Sequence, residues 1–181
     1  MTHKIKNTRS QKVTKETPFD EAFSATRRIY VTYIASGLIY VLVARLLQEG
    51  VWMNGRAGFI GLPPATYLAL LAAAGVITVI VTAALFFYLP KITSPAAVLA
   101  KKSPETEEAF GFELYQTHVM RLIAAQTPAI LGLLLFLLNG SIPHMLIFVI
   151  ISWTLLLLTF PRKDAWNEAK ALFENQKVMQ G

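Results

Sequence analysis

Residues 119–138, VMRLIAAQTPAILGLLLFLL, are apolar almost throughout, with one charge, Arg121, near one end and no carboxylate along their length. As a helix rising ~1.5 Å per residue they reach ~30 Å, the thickness of a bilayer's hydrocarbon core. Three more stretches of the same character, 29–47, 66–88 and 145–160, accompany them. With 54% hydrophobic and 15% charged residues, the chain lacks the polar material to cover a water-facing surface, so the apolar stretches read as membrane spans. The expected fold is all-α: a polytopic integral membrane protein of four transmembrane helices arranged as two antiparallel hairpins, followed by an amphipathic surface helix.

The rest of the chain is read around those spans. Residues 1–16 are basic and polar without an apolar core, which predicts a disordered tail, neither signal peptide nor span. Thr17-Pro18-Phe19-Asp20 has the order of a helix start: a Thr cap, Pro at the first helical position, and acids in the first turn. Residues 48–65 hold Gly50, Gly55, Gly58, Gly61 and Pro63-Pro64, turn chemistry for a loop on the membrane, with Trp52 and Phe59 at the interface. Pro90 and Pro95 are expected to stop the second span, and Ser103-Pro104 with Glu105, Glu107 and Glu108 to start a helix running straight into the third. Asn139-Gly140-Ser141-Ile142-Pro143 is so short a connection that the fourth span must return antiparallel to the third. In residues 161–181, Trp166, Ala169 and Phe173 recur at helical spacing opposite Lys163, Lys170, Glu174 and Lys177, the pattern of an amphipathic helix on a membrane surface.

Charge placement sets the expected orientation. Fifteen of the 17 Lys and Arg fall in the stretch up to Arg28, around the 89–121 connection or after residue 160, and only Arg45 and Arg56 fall on the other side. That bias puts both termini in the cytoplasm and predicts a multi-pass protein of a prokaryotic cytoplasmic membrane. The basic tail has no aromatic residue for stacking on bases, so its expected partner is anionic lipid and not nucleic acid.

Small residues recur where helices are expected to approach closely: Ala69 and Ala73, Ala74 and Thr78, and Ala125, Ala129 and Gly132. Gln126 is the deepest amide, and in hydrocarbon it needs a hydrogen-bond partner. The candidates are a carbonyl left open by Pro128 (residue Leu122 or Ala124), Tyr33, Thr78, or an outside group such as a quinone, a lipid headgroup or another subunit. Arg121, one turn further out, is placed to snorkel or to hold a phosphate. Residues 125–132, AQTPAILG, preceded by Arg121, resemble the carboxylate-bearing helix of ATP synthase proteolipid subunits. The essential acid of that helix is Gln126 here and the likeness covers one helix, so it implies no transport role.

His118 and His144 are the residues a membrane haem would use, but the 118–139 helix separates them by about a membrane thickness, so one haem cannot take both. No cysteine exists for thiolate ligands, no carboxylate lies inside a span to carry protons, and no phosphate loop or helical metal pair is present. A non-catalytic role follows as the expectation: an accessory, structural or assembly subunit of a larger membrane complex, or a homo-oligomer. The alternatives are a haem- or quinone-binding redox subunit using His118, His144, Gln126, Arg121 or Tyr33, and a small transporter.

Overall fold

The structure, a computed structural model, describes residues 17–49, 60–102 and 104–180. The predicted disordered tail and most of the predicted 48–65 loop, including Trp52 and Phe59, lie outside the described residues. Every described element is helical: α1 (Pro18–Glu49), α2 (Pro64–Ala83), a π-helical turn (Ala84–Tyr88), α3 (Leu89–Thr93), α4 (Pro95–Lys102), α5 (Glu107–Asn139), α6 (Ile142–Leu158) and α7 (Lys163–Gln180). Among the described residues three stretches are long and apolar enough to cross a membrane: α1, α2 continued through α3, and α5. The 17-residue α6 makes a fourth when it is joined to α7 across a 45° bend.

Local chemistry explains most helix ends. The Thr17 hydroxyl accepts from the Asp20 amide (3.3 Å) and starts α1 as the cap reading expects. The start of α5 falls later than Ser103: Thr106 is the cap, its hydroxyl accepting from Ala109 N–H (3.1 Å). Glu107 and Glu108 then sit in the first turn, where the helix dipole favours them. At the other end Gly140 adopts φ 70°, a left-handed conformation that costs glycine little, and its N–H bonds the Phe136 carbonyl. α6 begins two residues later and folds back along α5, the most extensive helix pairing in the molecule.

Pro90 does not stop the second span. Before it the helix widens by one residue, so that Leu89 N–H bonds the Ala84 carbonyl five residues back, and helix continues to Thr93. A π turn absorbs the missing proline N–H and the clash of its ring with the preceding turn. The helix ends at Ser94, whose extended ψ of 150° is the conformation that Pro95 demands of its predecessor.

α5 is the axis of the bundle. α1 packs on α5 and α6, α2 packs on α5, and α1 and α2 barely meet, so only α5 and α6 form a packed hairpin. Along α5 the core passes through three clusters: Tyr30, Leu85, Leu122 and Leu155; then Ala44, Ala129, Phe136 and Met145; and Tyr67, Ala74, Leu135 and Phe148. Gly132 permits closest approach there, since a Cβ on it would lie 2.7 Å from the Phe148 Cβ.

At 32 and 33 residues, α1 and α5 are ~50 Å long, well beyond the ~30 Å of hydrocarbon. Their first turns project past the bundle, at the end that also carries α4 and α7, and build a second core. Phe19, Val98, Leu99, Phe110, Leu114, Trp166, Ala169 and Phe173 are all buried in it. The Phe110 and Phe173 rings stack at 5.2 Å, and Phe19 meets Trp166 edge-on at 5.1 Å. Lys170 on α7 pairs with Glu107 on α5 at 2.8 Å, a contact that raises its pKa above the usual lysine value. The C-terminal helix is therefore not laid with its apolar face in lipid. Trp166, Ala169 and Phe173 spend that face on protein.

Candidate functional site

Three polar clusters interrupt the apolar bundle, at its middle and at its two ends. The middle one holds Gln126, which is 2% exposed. Its amide nitrogen donates to Ser36 Oγ on α1 (3.3 Å), while the Ser152 hydroxyl on α6 reaches both the Ala125 carbonyl (2.8 Å) and Gln126 Oε1 (3.2 Å). Ser36 in turn donates to the Tyr33 carbonyl (2.7 Å). The amide thus ties α1, α5 and α6 together. Its partners are neither Thr78, which bonds the Ala74 carbonyl of its own helix, nor the Tyr33 side chain. Beside Ser36, Trp153 Nε1–H donates to the Ile34 carbonyl (3.0 Å), with its indole laid over Gly37.

His144 belongs to the far end, where α5 turns into α6. Its Nδ1 lies 2.7 Å from the Tyr67 hydroxyl and 2.9 Å from Ser141 Oγ, joining α2 to the hairpin turn. His118 lies toward the opposite end of the bundle, 21 residues or ~32 Å of helix before Asn139 on α5. The two histidines therefore stand at opposite ends of one hairpin.

The near-end cluster borders a cavity of about 290 Å³. Three segments close around it: the π turn with α3 (Leu85, Phe86, Pro90, Thr93), one face of α5 (Leu114, His118, Arg121), and the elbow between α6 and α7 (Leu158 through Arg162, with Trp166). Arg121 follows His118 by one helical turn and shares its face. Its Nε and Nη2 both donate to Thr93 Oγ1, at 3.0 and 2.6 Å, and that hydroxyl donates in turn to the Leu89 carbonyl (2.6 Å). Among the described residues no carboxylate pairs with Arg121. A guanidinium carries five N–H groups, so about three remain for the cavity. His118 is stacked on Trp166 (5.7 Å) and edge-on to Tyr30 (6.2 Å), and its Nδ1 is buried with no partner among the described residues. Arg162, exposed, stands on the rim.

Of the small residues singled out in the sequence, Ala125, Ala129 and Gly132 are buried along α5, and Ala74 and Thr78 are buried where α2 meets it. Ala69 and Ala73 point outward from α2 and touch no other described helix closely. Thr93, Ser36, Ser152 and Arg162 complete the clusters, and none of them stood out in the sequence. A signal existed for Ser152: residue 139, where α5 ends, is the midpoint of 126 and 152, and an antiparallel hairpin pairs positions placed evenly about its turn. No family model, no curated protein and no solved structure matches this chain, so the likeness of residues 125–132 to a proteolipid helix remains local and carries no function across.

Proposed function

We propose that the chain crosses the membrane four times, with both termini in the cytoplasm, and serves as a non-catalytic accessory or assembly subunit that holds other membrane helices. The outward face of α2 carries this reading. α2 leans on α5 along one narrow stripe, Tyr67, Ala74 and Thr78, while Ala69, Ala72 and Ala73 lie together on its open side. Small side chains admit a second helix to close range, which is how helices associate where lipid removes the hydrophobic drive. The shared end of α1, α4 and α7 supports an even number of crossings, and the charge bias puts that end in the cytoplasm. Gln126 and His144 support a structural role as well, because each is engaged by other helices of the same chain.

The test is association in the source membrane. The full chain, extracted in mild detergent, is expected to migrate with other membrane proteins or with copies of itself. Ala73→Phe should release that partner while leaving the chain's own melting unchanged. A monomer with no partner from native membranes would refute the reading.

A further inference from the structure

We infer that the cavity between α3, α5 and the α6–α7 elbow is a binding site for the phosphate headgroup of an anionic membrane lipid. The inference requires the membrane-spanning reading but not a protein partner. Three features point to this ligand class. First, the lining is cationic: Arg121 and Arg162 border the cavity and, among the described residues, no Asp or Glu does. Thr93 fixes Arg121 from one side, so that its remaining donors are oriented before any ligand arrives, and preorganised guanidinium donors are the protein group best matched to phosphate oxygens. Second, His118, which lines the cavity, carries a polar atom left unmatched among the described residues. Among the described residues the buried His118 Nδ1 has no partner, and a ligand that reached it with a hydrogen-bonding group would satisfy it.

Third, the depth and the rim suit an amphiphile. Arg121 lies 18 residues, or ~27 Å of helix, from the far-end turn, which puts it at the headgroup level of a ~30 Å hydrocarbon slab. Phe86 and Leu158 line the same cavity and are 42% and 61% exposed, apolar surface along which acyl chains would run. At about 290 Å³ the cavity suits a headgroup and not a whole lipid. A headgroup bearing its own ammonium would meet two arginines and no carboxylate, so the site selects a net negative lipid over a zwitterionic one.

Native mass spectrometry of the full chain in mild detergent tests this, with phosphatidylglycerol, phosphatidylcholine and inorganic phosphate titrated separately. One phosphatidylglycerol per chain should be retained, with about tenfold preference over phosphatidylcholine. Arg121→Gln and Arg162→Gln should each weaken it about tenfold, the loss of one charge-assisted contact. Arg28→Gln, an exposed arginine at the same end of the bundle but outside the cavity, should leave retention unchanged. Should Arg121→Gln not fold, Arg162→Gln carries the test, because Arg162 is exposed. Equal retention of phosphatidylcholine, equal weakening by Arg28→Gln, or displacement of the lipid by millimolar inorganic phosphate would each overturn the assignment; the last would identify a free phosphate site. Failure to insert into bilayers at all would instead refute the spanning reading.

Discussion

Replacing Gly37 by Ala should destabilise the bundle, although the same change normally favours a helix. A Cβ at position 37 would meet the Trp153 indole, lying within contact of Nε1, 2.9 Å from Cε2 and 3.2 Å from Cζ2. Carbon pairs rest at about 3.5–4.0 Å, so α1 must move off α6 or the indole must turn. Turning it breaks the bond from Trp153 Nε1 to the Ile34 carbonyl, since the ring is rigid and already held. Overpacking costs about 1–3 kcal/mol, and a hydrogen bond within a membrane about 0.6 kcal/mol on average. The helix preference of Ala returns at most about 1 kcal/mol. A net loss of roughly 2 kcal/mol is expected, read as the shift in an unfolding titration followed by circular dichroism in mild detergent. Gly75→Ala is the internal comparison: nothing lies within 4 Å of a Cβ there, so the change should be neutral or stabilising. In a Trp153→Phe background, which lacks the offending atoms, most of the Gly37→Ala penalty should vanish. A Gly37→Ala protein as stable as the parent, or a penalty that survives Trp153→Phe, would refute the packing argument.

Gln126→Leu should cost only about 1 kcal/mol in the same titration, because it removes two interhelical hydrogen bonds and strands neither hydroxyl. Ser36 keeps the Tyr33 carbonyl and Ser152 keeps that of Ala125, so a loss above about 3 kcal/mol would show that the amide has partners beyond these two. Phe173→Ala should release α7, at a cost of about 3–5 kcal/mol for a buried ring, with amide exchange rising in α7 and around Val98 and Leu99 while the spans stay protected. If exchange rose in α7 alone, and only when anionic lipid was withheld, the helix would be lipid-bound and not docked on protein.

The amphipathic pattern of residues 163–180 shows why reading the chain alone has a boundary. Trp166, Ala169 and Phe173 announce one apolar face, and helical periodicity reports that such a face exists without naming the medium that covers it. Headgroups and a protein core impose the same spacing. The choice fell to protein because Phe19, Val98, Leu99 and Phe110 were delivered to the same place, partly by helices longer than a bilayer's hydrocarbon core is thick. Pro90 is a similar case. Its missing N–H is legible in the sequence, whereas the widened turn that accommodates it, with Leu89 bonded back to Ala84, is not.

By itself the sequence determined the helical class, the apolar stretches, the turn at Gly140 and the crowding of positive charge on one side. Each is a property of a segment and its solvent: span length against bilayer thickness, a glycine's tolerance of positive φ, a charge's aversion to hydrocarbon. Only the tertiary structure decided what the few polar groups meet. Gln126 finds Ser36 90 residues away, Arg121 finds Thr93 28 residues away, and α2 settles on α5 and not on α1. Such pairings depend on how helices rotate and lean against one another, which is set by the summed packing of many side chains and by no local signal.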